Sequence, residues 1–148
     1  MNVDTRIAYR NLEGGVSIVS PTPEFCANPA NTIGTLIRTL PLGVHFEVHQ
    51  AEDIPTDRYF RNAWKLDAGI SVDRAKAEKI HMVNLRVQRD EMLKSEDIEY
   101  QKALEMRDDA KMNAVANRKK KLRDMPTDTD LSSLSLDELK AFVPDVLK

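Results

Sequence analysis

Hydrophobic and polar positions change their spacing along this chain, from period two near the start to helical spacing beyond its middle. Over Thr5–Arg10, Ile7 and Tyr9 alternate with polar neighbours, and Val16-Ser17-Ile18-Val19 forms a second short run. Period two is the signature of a strand. Glu13-Gly14-Gly15 lies between the runs and supplies turn chemistry, because glycine reaches positive φ without steric cost. A hairpin is predicted. Pro21 and Pro23 end it, and a loop through Phe25, Cys26 and Pro29 follows. Asn31 or Thr32 then offers an N-cap to a short helix with Ile33, Leu36, Ile37 and Leu40 at i, i+3, i+4 and i+7. Pro41 and Gly43 stop it. Val44, Phe46 and Val48 next alternate with His45, Glu47 and His49, predicting a half-buried strand with a solvated polar face. The order so far is β-β-α-β.

Residues 52–66 form a turn-rich connector that holds Tyr59, Phe60 and Trp64 within six residues. Large rings rarely stay in water, so these three are expected to latch the N-terminal core. A short strand is expected around Lys65-Leu66 and Ile70, broken by Ala68-Gly69. All five glycines and five of the seven prolines lie at or before Gly69, and Ile70 to Met125 contains neither. That stretch reads as a helical arm starting near Ser71, with Asp73 in its first turn. Ala77, Ile80, Val83 and Val87 make one apolar stripe, and Met82, Leu85 and Met92 another. Ser95-Glu96-Asp97 resembles a fresh cap, so the arm is expected to fold back there as a hairpin; the alternative is one rod of roughly 80 Å. Tyr100, Ala103, Leu104, Lys111, Ala114, Val115 and Leu122 would line the second helix. Pro126 is expected to end the arm. A polar linker then leads to Ser135-Leu136-Asp137-Glu138, a capping-box pattern, and a short final helix. The chain therefore reads as α+β: residues 1–69 a small module, 70–125 a helical arm, 126–148 a linker and short helix.

Composition changes this picture little. Across 148 residues, 41% are hydrophobic and 31% charged, more charge than usual, which suits exposed helical surface. A net charge of −2 argues against wholesale binding to nucleic acid or anionic membrane. The single Cys26 cannot form an internal disulfide. Neither a signal-peptide layout nor an apolar run of spanning length is present, which points to a protein made in the cytosol.

Candidate chemistry is sparse. His45-x-Glu47-x-His49 carries metal-type donors on one strand face, but same-face positions about 7 Å apart are too wide for ordinary chelation. No metal or cofactor is expected. Asp53 and Asp57 flank Pro55 as turn initiators, and no nucleophile or phosphate loop accompanies them. No enzyme is predicted. Arg118, Lys119, Lys120, Lys121 and Arg123 form a basic patch near a helix C-terminus, where cations complement the dipole. The acidic segment with Asp128, Asp130, Asp137, Glu138 and Asp145 is expected to fold back on it; a phosphate contact is the competing use.

Two segments carry a family resemblance. Ile54-Pro55-Thr56-Asp57-Arg58-Tyr59-Phe60-Arg61-Asn62-Ala63-Trp64-Lys65-Leu66 resembles a connector in small proteins encoded among phage tail genes. Arg89, Asp97, Ala103 and Leu104, followed by Asn117 to Pro126, are similar to the phage tail assembly chaperone family. Arg118, Leu122, Arg123, Asp124 and Pro126 match that family's close, and Val115-Ala116-Asn117 stands where the family has an aromatic-rich lead-in. The resemblance spans roughly residues 52–126. It implies a tail or tail-fibre assembly factor in the host cytoplasm that binds another tail protein, with homo-oligomerisation as a further expectation. Ile80, Val83, Val87, Tyr100 and Leu104 are the expected partner-binding residues. A structural virion component and a small nucleic-acid-binding regulator using residues 118–123 are the alternatives.

Overall fold

The computed structural model describes residues 1–148, which divide into two compact units, Met1–Ala77 and Glu78–Lys148. In the first unit, β1 (Thr5–Arg10) is the centre of a three-stranded antiparallel sheet ordered β2-β1-β3, with β2 at Val16–Val19 and β3 at Phe46–Gln50. The predicted hairpin is present, and Gly14 supplies its positive φ of 77°. Between β2 and β3 lie two short helices. The segment expected to be a loop contains α1 (Pro23–Ala27), capped by Thr22, whose hydroxyl accepts from the Phe25 amide. Helix α2 (Ile33–Ile37) follows, with Thr32 and Thr35 forming a reciprocal capping box.

The connector leads into a second hairpin, β4 (Trp64–Leu66) and β5 (Ile70–Val72), paired antiparallel around Ala68-Gly69. Both turn residues have positive φ, 51° and 106°. This hairpin packs on one face of the sheet, where Ala8, Val16, Ile54, Trp64 and Leu66 form the core. Trp64 is 1% exposed, and burying such a ring contributes on the order of 3 kcal/mol.

In β3 the faces are the reverse of the expectation. Register pairs Ala8 with Ile18 and Glu47, and Ile7 with Val19 and Val48. Glu47 therefore shares the core face, whereas Phe46 and Val48 remain 38% and 45% exposed. The cause is the β4–β5 turn, which brings unpaired backbone groups to the margin of the sheet. Glu47 Oε2 accepts from the Gly69 amide at 2.8 Å, and Arg10 donates to the Leu66 carbonyl and pairs with Asp67. Polar side chains are needed on that side of the strand.

The arm helix α3 (Arg74–Glu105) starts later than expected. Ser71 belongs to β5, and Asp73 supplies the cap, accepting from the Lys76 amide. Ser95-Glu96-Asp97 lies in uninterrupted helix, so the predicted turn there is absent. The chain reverses at Met106–Asp108 instead. Arg107 adopts φ 55°, its amide bonds the Leu104 carbonyl, and the Asp108 amide bonds Ala103. These two bonds define a Schellman motif, here with arginine in the position glycine usually fills. Asp108 also caps α4 (Asp109–Asp128), accepting from the Lys111 amide at 2.9 Å. Pro126 does not end α4. It sits in the last turn, where its missing N–H removes one bond near the helix end, and Thr129 closes the helix onto Met125. The predicted capping box starts α5 (Leu136–Ala141), with Ser135 and Glu138 bonding reciprocally.

Candidate interaction surfaces

Within the second unit, buried apolar side chains concentrate away from the hairpin turn. Leu85, Leu122, Met125, Leu131 and Leu139 are at most 5% exposed, and His81 is 3% exposed. Towards the turn, Ala103 and Val115 are the buried pair, and charges do the rest. Arg118 donates two hydrogen bonds of 2.9 Å to Glu96, Lys119 lies 2.6 Å from Asp97, and Lys111 lies 3.1 Å from Glu99. Lys119 also stands 5.3 Å over the Tyr100 ring. Hydrogen bonds from Lys102 and Lys111, with their charges, hold the Glu99 carboxyl below its ordinary value.

This seam corrects two expectations. The basic run does not engage the acidic C-terminal segment: Asp130 bonds Ser132 and Asp145 bonds Lys148. Its partners are Glu96 and Asp97 of α3. Lys120, Lys121 and Arg123 are exposed. Tyr100, expected at a partner surface, is part-buried against Lys119.

The opposite side of α3 is open. Val83 and Val87 are 54% and 59% exposed, Ile98 is 58% exposed, and Ile80 is part-buried. At 100° per residue these four fall within about 60° of helix circumference. Leu104, 49% exposed, lies about 120° from Ile98 and is not part of that line. Ile98 was missed by sequence reasoning. Its spacing of eleven from Val87, three helical turns, is the signal that would have found it.

In the first unit, Phe60 and Trp64 are buried as a latch would require, but Tyr59 is 37% exposed, stacked edge-on to Phe60 at 4.7 Å. Arg58 lies over Trp64 at 5.3 Å. Asp53 and Asp57 serve turns, accepting from the Gln50 and Tyr59 amides. Glu47 stands between its two histidines, 3.4 Å from His45 Nε2 and 3.1 Å from His49 Nε2. The latter nitrogen is buried, and its direction to the carboxylate falls outside hydrogen-bond geometry, so the attraction is one of proximity. Burial raises the Glu47 carboxyl, but the Gly69 amide, the His45 hydrogen bond and the neighbouring imidazoles outweigh it and hold the group below its ordinary value. Each histidine approaches a different side of the carboxylate, and no group of three donors is gathered to hold a metal ion.

These surfaces define an α+β protein with a helical hairpin. No helix is long and apolar enough to cross a membrane. No protein-family model, curated protein or solved structure matches the chain.

Proposed function

We propose that this protein is an accessory or chaperone factor of phage tail or tail-fibre assembly, acting without catalysis by binding another tail protein through the outward stripe of α3. The observation that carries this reading is Val83 and Val87, with Ile98 three turns on, each more than half exposed and separated on that line by the exposed Glu91–Lys94 ion pair, on a helix whose other side is already covered. Single exposed aliphatics are ordinary, but a line of them at helical spacing is the anchor pattern of helix recognition. Exposed charges of both signs border it, among them Lys79, Arg86, Asp90 and Glu91, which fits an amphipathic partner helix with a mixed charged rim. The resemblance of residues 52–126 to tail assembly chaperones supports the tail-gene setting. Engagement of Arg118 and Lys119 within the hairpin favours a structural use of the basic run over nucleic-acid binding.

Quantitative mass spectrometry of purified virions and of infected lysate tests the proposal. The expected result is absence from particles and co-purification with a tail protein, lost in a Val83→Asp/Val87→Asp variant. A fixed copy number in particles would make the chain a structural tail component. Partner binding undisturbed by the double variant would overturn the α3 stripe. Steeply salt-dependent binding of DNA or RNA would move the function to residues 118–123.

A further inference from the structure

The strand β3 is an edge of its sheet, and an edge strand presents backbone groups that can template another strand. In an antiparallel pair the groups of alternate residues point to the same side. The Arg10 amide bonds the His45 carbonyl, so His45, Glu47 and His49 direct their backbone groups towards β1. Phe46, Val48 and Gln50 direct theirs outward. The Gln50 amide is already taken by Asp53 Oδ2 at 2.8 Å, which confirms the alternation. The amides and carbonyls of Phe46 and Val48 have no strand to bond.

We infer that β3 pairs antiparallel with β3 of a second copy of this chain about a two-fold axis through Val48, making a six-stranded sheet from two protomers. The strand's own sequence argues for this occupant and register. With Val48 opposite Val48 of the partner subunit, each Glu47 faces the partner's His49 on one side of the sheet. On the other side, each Phe46 faces the partner's Gln50 and the two Val48 side chains meet. A carboxylate directly opposite an imidazole meets no like-charge repulsion, and the side chains that are 38% and 45% exposed adjoin across the pair. A register centred on Glu47 would instead oppose two carboxylates. Next to these side chains, Ile37, Leu40, Leu42, Val44 and Phe46 line an apolar recess of ≈ 310 Å³, with Leu42 wholly exposed, so the apolar surface extends beyond the strand. Each Val48 amide would donate to the partner's Val48 carbonyl, while each Gln50 keeps its own Asp53 cap.

Val48→Pro tests this specifically. Proline removes a donor that points away from β1, so the β1–β3 ladder keeps its bonds, and such a position tolerates proline. The full chain is expected to sediment as a dimer. The variant should keep its circular dichroism and melting temperature and raise the dimer dissociation constant at least about tenfold. A monomer at every concentration, or a dimer equally tight in the variant, overturns the inference. A monomer whose Val48 amide gains exchange protection only when a tail protein is added also overturns it, and makes β3 the seat of a different chain. Should Val48→Pro fail to fold, Val48→Cys in a Cys26→Ser background decides. Across a hydrogen-bonded antiparallel pair the Cα atoms sit about 5.5 Å apart, within disulfide range. Mild oxidation should give a linked dimer, and none forming counts against the pairing.

Discussion

His81 Nε2 lies 2.8 Å from the carbonyl oxygen of Phe142, a residue 61 positions further along the chain. A carbonyl only accepts, so this nitrogen carries the proton and ties α3 to the segment that leaves α5. The imidazole is 3% exposed. His81→Phe leaves the carbonyl without that donor and puts a larger ring in a buried site, a loss of at least about 1–3 kcal/mol. Urea denaturation would measure it, and amide exchange should rise most in residues 131–148.

Arg107 holds a left-handed conformation at the hairpin turn, φ 55°, where a Cβ is disfavoured by about 1–2 kcal/mol. Arg107→Gly should stabilise the chain by about 1 kcal/mol after the entropy of the added glycine is subtracted. Arg107→Val should destabilise it. Thermal melts of the two variants in parallel check the sign.

The Glu96–Arg118 bond crosses the hairpin seam. Arg118→Glu should lower the melting temperature, and adding Glu96→Arg should restore most of the loss. Both the loss and the rescue should shrink as salt rises, because at least one partner is half exposed and therefore screened. Melts of the four chains at low and high ionic strength test this.

Acid should loosen the same seam. Glu99 is held below its ordinary value of 4.5 by hydrogen bonds from Lys102 and Lys111 and by their charges. A carboxylate depressed by folding contributes its full stabilisation above its unfolded value and loses it as pH falls through the folded one. Stability should therefore fall with pH below 4.5, and Glu99→Gln should be less stable near neutrality but flatter through that range. Urea midpoints measured from pH 7 downwards give the comparison.

Val83 and Val87 are exposed where Leu85 between them is fully buried. Val83→Asp/Val87→Asp should change folding stability little, within about 1 kcal/mol for the pair, while removing partner binding. Leu85→Ala should cost about 2–5 kcal/mol. A denaturation series alongside a co-purification assay separates fold from binding.

Local chemistry with strong residue preferences was legible in the sequence. The Gly14 turn, the Ser135–Glu138 capping box and the burial of Trp64 all follow from residue types suited to one task. The hairpin turn was not legible, because Arg107 fills a glycine position and Ser95-Glu96-Asp97, a cap by composition, is absorbed by a helix already propagating. The polarity of β3 was not legible either. Alternation shows that a strand has two faces, but the β4–β5 turn decides which one meets the core, through the Glu47–Gly69 bond. Of the five residues expected to bind a partner, Ile80, Val83 and Val87 share a line. Tyr100 stands about 160° from Ile98 of that line on the continuous α3; it joined the set only because the helix was expected to break at Ser95-Glu96-Asp97.

The uneven filling of the α3–α4 seam makes it respond differently to different solvents. Apolar packing remote from the turn is not screened by dissolved ions, whereas the charged stretch from Glu96 to Glu99 is. Raising salt should weaken the cross-seam ion pairs at Glu96, Asp97 and Glu99 modestly, while buried Ala103 and Val115 keep the end at Arg107 closed.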